Sequence, residues 1–383
     1  MNKWKTYRIG DICKRVCSGG TPKSTEPSYY DGEIPWLNTK EINFNRISST
    51  EKHITQSGLE NSSAKWIDKN SVIVAMYGAT AAKVALNTIP LTTNQACCNL
   101  SIDETKADYR FVYYWLCNHY TELASLANGG AQQNLNAQQI KDFEIKLPEI
   151  QIQQKIADLL WSIDNKIICN KSINDNLEKQ AEALYKSWFV DFEPFKDQEF
   201  VESEFGLIPE GWQCTTLSEL LSIKYGKDHK KLAEGTIPVY GSGGLMRYVD
   251  TKIHEGEAVL IPRKGTLNNV MYVNEAFWTV DTMFYSIPKQ ENSCIYAYLF
   301  LANKDLASMN AGSAVPSMTT DILNNMLIIA PPAEVLRQFN NICNVYFSRI
   351  NQNNIENANL SNQRDTLLPK LMSGELKINE IDC

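Results

Sequence analysis

The chain is poor in histidine, with four in 383 residues, and its ten cysteines include no Cys-x-x-Cys pair. Structural metal knuckles need closely paired ligands, so the cysteines read as reduced core thiols. Cys13 and Cys17 lie four apart, yet no histidine is near them. No stretch reaches the ~20 uninterrupted apolar residues of a membrane span. The opening MNKWKTYRIGD lacks the apolar run of a signal peptide, so the expectation is a cytoplasmic protein with no membrane contact. The phosphate-loop string Gly-x4-Gly-Lys-Ser/Thr is missing as well: Gly241, Gly243 and Gly244 are followed by no Lys-Ser/Thr and read as a turn. Glu-x-Lys triplets at 144–146 and 375–377 lack the upstream Asp that a nuclease would need. These absences point away from motor, nuclease and metal chemistry in this chain.

What is present is repetition. With 43% hydrophobic and 21% charged residues the composition is that of an ordinary globular protein, and the length suffices for two cores. Shifted by 183 positions, Pro148 falls on Pro331, Ile167 on Ile350, Asn170 on Asn353, Leu177 on Leu360 and Leu184 on Leu367. The first segment carries an apolar stripe through Ile152, Ile156, Leu159, Ile163, Ile167, Asn170, Asn174, Leu177, Ala181, Leu184 and Trp188. The second keeps the same steps through Val335, Phe339, Ile342, Tyr346, Ile350, Asn353, Asn357, Leu360, Arg364, Leu367 and Leu371. Steps of three and four place these positions on one helix face, a seam for a partner helix. Helices of roughly 40 residues would be about 60 Å long. Paired antiparallel, they would bring Asn170 against Asn353 at the midpoint, a polar contact that fixes register.

The stretches before these helices repeat less closely. GEIPWLN (32–38) matches GTIPVYG (235–241), SVIVAMYG (71–78) matches AVLIPRKG (258–265), and TTNQACCNL (92–100) matches TVDTMFYSI (279–287). Prolines at strand entries predict short strands in twisted, irregular sheets and not a parallel doubly wound sheet. The expected fold class is therefore α+β: two tandem sheet domains, residues 1–147 and 200–332, separated by two long antiparallel helices in 148–199 and 333–383 that form a coiled-coil spacer. The net charge of −7 is uneven, +2 over 1–147, −6 over 148–205, −2 over 206–331 and −1 over 332–383. A nucleic-acid surface would thus come from local basic loops and not from a domain-wide field.

SGGTPKS (18–24) with IPW (34–36), ALYKSWFVDFEPF (183–195), GLIPEGW (206–212) and LLPKLMSGEL (367–376), in this order on a repeat, resemble the specificity (S) subunit of type I restriction-modification systems. The resemblance covers nearly the whole chain. It implies a DNA-binding, non-catalytic subunit whose two target-recognition domains each read half of a bipartite, asymmetric double-stranded site. It further implies that the helices dock two methyltransferase (M) subunits, which a restriction/translocase (R) subunit joins. S-adenosylmethionine, ATP and Mg would then belong to those partners. Consistently, the Asp/Asn-Pro-Pro-aromatic loop of an adenine methylase is missing; Glu193-Pro194-Phe195 lacks the second proline. The second domain departs from the pattern, with KYGKDHK (224–230) where the first has Ser-Gly-Gly-Thr-Pro. Two rival readings differ in class: a single-chain restriction-methylation enzyme, which would need a methylase region, and a non-catalytic coiled-coil scaffold carrying two protein-binding domains.

DNA readout needs Arg, Lys, Asn and Gln for base edges, and separate cations for phosphates. In the first half Lys14, Arg15 and Lys23 are phosphate candidates. Asn38, Lys40, Lys83, Gln132, Gln133 and Asn134 are candidates nearer base edges, and Trp36 is a candidate for stacking, although a Trp after Ile-Pro at a strand start is more often core. In the second half Lys224, Lys227, His229, Lys230 and Lys231 form the densest basic run, and Arg263 with Lys264 stands where a strand meets a Gly turn. For partner docking the aromatic cluster Tyr185, Trp188, Phe189, Phe192 and Phe195 exceeds what a two-helix seam would cover.

Overall fold

A computed structural model describes residues 4–127, 134–309 and 317–378 of the chain. It divides into two compact units, one built from residues 1–169 and 356–383, the other from 170–355.

In the first unit β1 (Cys13–Ser18), β2 (Tyr30–Leu37), β3 (Asn45–Ile47), β4 (Lys52–Ile54), β5 (Val72–Ala75), β6 (Val84–Asn87), β7 (Thr92–Thr93) and β8 (Cys97–Ile102) form two sheets, in the orders β1-β8-β5-β6-β3 and β4-β2-β7. Most pairs are antiparallel, while β3 joins β6 and β2 joins β7 in parallel. The run VIVA of β5 is buried along its whole length because it is a central strand with both faces covered. The Pro90 between β6 and β7 can give no ladder hydrogen bond, which separates the two strands and with them the two sheets. The helix α1 (Tyr109–Asn118) starts at Asp108, whose carboxylate accepts from the amides of Arg110 (2.8 Å) and Phe111 (3.3 Å). Its buried face, with Phe111, Val112 and Leu116, packs in one core with Ile156, Ala157 and Leu160 and with Leu371 and Met372 from the chain's last helix.

Beside that core lies a charged knot. The Arg46 guanidinium lies 3.1 Å from the Trp161 ring centroid, and Asp164 accepts from the Tyr114 hydroxyl at 2.6 Å and from Arg364 at 2.9 Å. The partial burial of Asp164 is thus matched by two cations, Arg364 and Arg46 (3.7 Å), and a hydroxyl donor, as a carboxylate withdrawn from water requires.

In the second unit β9 (Leu221–Tyr225), β10 (Ile237–Gly241), β11 (Gly244–Val249), β12 (His254–Pro262), β13 (Met271–Thr279) and β14 (Met283–Pro288) make one sheet of order β9-β14-β12-β13-β10-β11. Here β13 runs nine residues without a proline, so nothing splits the sheet. The helix α3 (Cys294–Ala302) is buried on nearly all sides, with Tyr296 sending its hydroxyl to the Ile329 carbonyl at 2.5 Å. Sheets that mix parallel and antiparallel pairs, with short strands in each unit, are the α+β architecture that the sequence predicts.

The two long helices are α2 (Ile150–Phe189, 40 residues) and α4 (Ala333–Ser373, 41 residues). They run antiparallel within each unit. In the first, Lys166 meets Glu356 (3.3 Å) and Asp164 meets Arg364 (2.9 Å); in the second, Trp188 meets Phe339 (5.9 Å between centroids). Two details differ from the sequence reading. The buried positions of α4 in the second unit are Leu336, Phe339, Asn340, Cys343, Phe347, Ile350 and Asn353; Val335 and Tyr346 are half-buried at the edge of this stripe and Ile342 lies outside it. Asn353 donates its amide to Asn174 (2.7 Å), which donates to Asn354 (2.9 Å), so the polar contact is one helical turn from the expected Asn170 pairing.

Candidate nucleic-acid interface

At the end of β1 the chain turns through Gly19 and Gly20 with no room for a side chain. A Cβ on Gly19 would stand 2.0 Å from the Thr93 carbonyl oxygen, and one on Gly20 2.2 Å from the Ala64 nitrogen. The close approach is used: Gly20 donates its amide to Thr93 (2.8 Å), and its carbonyl accepts from the Trp36 indole (2.9 Å). Trp36 is accordingly 4% exposed and holds the turn from inside, the core alternative of its sequence reading, which removes it from the DNA-stacking candidates. Tyr30 donates to the Pro22 carbonyl (2.7 Å), and the next cation, Lys23, is exposed.

The KYGKDHK segment of the second unit builds the same turn from different residues. Lys227 donates its amide to the Thr279 carbonyl (2.9 Å) as Gly20 does to Thr93, and a Cβ on Gly226 would meet the Val280 oxygen at 2.1 Å. The indole on the turn carbonyl comes from the neighbouring strand, Trp278 donating to Lys227 at 2.9 Å. Register confirms the equivalence: Ser18 pairs with Cys98 in the first unit and Tyr225 with Phe284 in the second. Divergence at this loop therefore changes side chains and preserves backbone.

Around the second turn Lys224, Lys227, Lys230 and Lys231 are exposed. Lys230 donates its amide to Asp228 (3.0 Å), which holds that carboxyl below its ordinary range. His229 is half-buried, with its Nδ1 covered by protein. Arg263 comes to the same place: its guanidinium lies 5.3 Å from the Tyr225 ring centroid and donates to the Asp281 carbonyl (3.2 Å). Lys264 is exposed at the turn made by Gly265, whose φ of +88° suits glycine. Asn269 ties this turn to Ser242 (2.8 Å) in the β10–β11 hairpin.

In the first unit the candidates are more scattered. Lys14 and Arg15 are exposed on β1, Arg15 donating to the Trp66 carbonyl (3.4 Å). Asn38 is spent on a helix cap, accepting from the Lys40 amide (3.3 Å), and Lys40 pairs with Glu51 (2.7 Å). Lys83 donates to Asn43 (2.8 Å). Asn134 is exposed and bridges Tyr77; Gln132 and Gln133 lie outside the described residues.

The aromatic cluster assigned to partner docking requires correction. Tyr185, Phe189 and Phe195 are buried and Trp188 and Phe192 half-buried inside the second unit's own core. Phe189 stands 4.6 Å from Tyr296 and 4.8 Å from Phe339, and Phe195 stands 5.0 Å from Trp212. The domain itself, which a two-helix calculation leaves out, covers these rings. Apolar residues that do face solvent on the long helices are Ile168, Ile342, Val345 and Ile355. Sequence periodicity hid them, since it assigned Ile342 to the seam and gave the others no role.

Among the described residues no group of three His, Cys, Asp or Glu could hold a metal ion, and no helix is long and apolar enough to cross a membrane. Cys13 and Cys98 are pushed up to about 12 by burial, as inert core thiols are.

Two sheet units repeating one glycine-pinned turn, combined with two long helices, define a tandem recognition scaffold. The chain belongs to the family described as the type I restriction modification DNA specificity domain, whose profile matches residues 1–179 and 209–362. As a specificity subunit it is the non-catalytic, DNA-recognising member of such a system. It is 27% identical to the type I restriction enzyme MjaIX specificity subunit of Methanocaldococcus jannaschii over 410 residues, covering 99% of this chain and 94% of that one. Against the HindI specificity subunit of Haemophilus influenzae the identity is 22% over 468 residues, 98% and 100% covered. The fold matches the crystal structure of an S subunit from M. genitalium with a TM-score of 0.64 at 20% identity, over 96% of each chain.

Proposed function

We propose that this chain reads a bipartite, asymmetric double-stranded DNA target, one half-site per sheet unit, and directs methylation or cleavage carried out by partner subunits. The observation that carries this is the turn built twice on one backbone with different exposed side chains. A scaffold that reads two unlike half-sites needs a constant frame and variable contacts. Lys23 in one unit and Lys224, Lys227, Lys230, Lys231 and Lys264 in the other supply phosphate contacts, and Arg263 supplies a base contact. Two M subunits dock on the long helices, R subunits join them there, and S-adenosylmethionine, ATP and Mg act in those partners.

The test is selection of bound duplexes from a randomised pool by the full chain assembled with its M subunit, followed by sequencing. Enrichment of two unlike specified blocks separated by an unspecified spacer is the expected result. A single block, or no sequence preference with intact assembly, overturns the proposal and favours a scaffold that binds protein through both units.

A further inference from the structure

We infer that Tyr225 is a positioning residue for base readout, the platform that holds Arg263 in the orientation that reads guanine. The inference rests on the proposal that the second unit reads DNA, and it adds a specificity-determining residue that neither motif nor charge pattern singles out.

Arg263 differs in its bonding from most arginines of the chain. Arg8, Arg46, Arg110, Arg337 and Arg364 each pair with a carboxylate. Arg263, half-buried, has no ion pair among the described residues; it gives one donor to the Asp281 carbonyl (3.2 Å) and lies 5.3 Å from the Tyr225 ring centroid. A guanidinium has five donors in a rigid fork, so this arrangement fixes the plane of the group and leaves most of the fork available. Bidentate donation to guanine O6 and N7 needs such a plane.

Tyr225 is itself held while remaining accessible. It is 52% exposed, its ring meets the buried Phe284 edge-on at 5.0 Å, and its hydroxyl is 3.5 Å from Thr320. Next to it, Gly226 is locked against the Val280 carbonyl, so the platform cannot drift along the strand.

The internal repeat supplies a comparison. Arg263 donates its amide to Thr282 and accepts from Met318 exactly where Met76 donates to Ala96 and accepts from Leu135, so Arg263 and Met76 occupy one backbone position. Tyr225 and Ser18 likewise share one position by register. The first unit thus has neither platform nor cation, holding Ser18 and a Met76 that is 3% exposed. Both members of the pair are found together in one unit and absent together from the other. That is expected of two residues with a single task.

The experiment uses the full chain assembled with its M subunit and a randomised duplex pool. Tyr225→Leu keeps an apolar contact with Phe284 but removes the aromatic face; Tyr225→Phe keeps the face and removes the hydroxyl. Wild type should prefer guanine at one position of one half-site by roughly tenfold or more, the scale of a bidentate contact. Tyr225→Leu should reduce that preference to about twofold or less while other positions and the other half-site persist. Tyr225→Phe should restore it, because the cation–π contact needs no hydroxyl. Adding Tyr225→Leu to Arg263→Ala should cause no further loss at that position. Should Tyr225→Leu impair folding, Tyr225→Gln replaces it, since the site is half-exposed. If Arg263→Ala erases the preference and neither Tyr225→Leu nor Tyr225→Gln weakens it, the platform is refuted and DNA reading stands. If wild type selects no sequence at all, the underlying proposal fails and the platform with it.

Discussion

At Gly19 the requirement is for the absence of a side chain. Gly19→Ala places a methyl group 2.0 Å from a backbone oxygen that cannot swing aside, so the strand and the Thr93 loop must separate. We expect a loss of about 1–3 kcal/mol, the usual cost of overpacking, read from the urea midpoint of the full chain. Gly243→Ala is the control: a Cβ there meets nothing within 4 Å and should change stability by less than about 0.5 kcal/mol. The SGGTP string and the core alternative for Trp36 were visible in the sequence, but the partner Thr93 and the indole bond to Gly20 were not, because a long-range contact leaves no local pattern. Thiols give a second residue-scale test. Burial pushes Cys13, Cys98, Cys117 and Cys343 up to about 12, whereas unfolded thiols titrate near 8.5. The sign follows: these groups contribute stability below pH ~8.5, and it is lost as pH rises toward 12, since the unfolded chain gives up protons that the folded one retains. Iodoacetamide at pH 8 should modify Cys169, the exposed cysteine among the described residues, before Cys97 or Cys98, with peptide mass spectrometry as the readout. Equal labelling of all three in the native protein would contradict the burial.

For the helices, the sequence showed that the element exists, where it lies and roughly where its seam runs. Register along α4 was misjudged because apolar residues stand side by side, as in Val335-Leu336 and Tyr346-Phe347, and period alone cannot choose between neighbours. Packing in the second unit's core selects Leu336 and Phe347, the latter against Tyr272 of the sheet and Tyr298 of α3. The Asn353–Asn174 bond is testable by a double-mutant cycle. Asn353→Ala should cost about 1–3 kcal/mol by leaving the buried Asn174 acceptor unmet, and Asn174→Leu with Asn353→Leu should cost less than the sum of the single changes. Strict additivity in urea titrations would show that the two amides are not coupled. A geometric prediction belongs at this scale too. Four residues, about one helical turn, inserted after Asn174 and before Asn353 should lengthen the unspecified spacer of the methylated sequence and leave both specified blocks intact. Changed bases within a block at constant spacer, seen by genome-wide methylation mapping, would defeat the idea of helices as a ruler.

At the scale of the whole molecule, a net charge of −7 hides its distribution, and what matters for DNA is where cations stand in the turns. Docking shows the same contrast between totals and places. The aromatic cluster looked like a sticky surface when counted, yet it is interior, whereas Val345 at 67% and Ile355 at 57% exposure are outside. Val345→Asp with Ile355→Asp should therefore weaken co-purification with the M subunit while circular dichroism and melting stay near wild type, and Trp188→Ala should chiefly lower the melting temperature. Undiminished assembly of the double aspartate variant would move the docking site elsewhere.

The first unit takes Leu371 and Met372, both almost wholly buried, from the far end of the chain, and Gly374 lies against Trp4. During synthesis the ribosome releases the residues of the second unit before those that complete the first. The half of the molecule made earliest must wait, with part of its interior open, for residues made more than two hundred positions later. Folding thus reverses the usual order in which an N-terminal domain closes first. A chain halted between residues 356 and 371 would carry a second unit that is whole and a first that is not, so that a late truncation leaves its defect at the chain's own beginning.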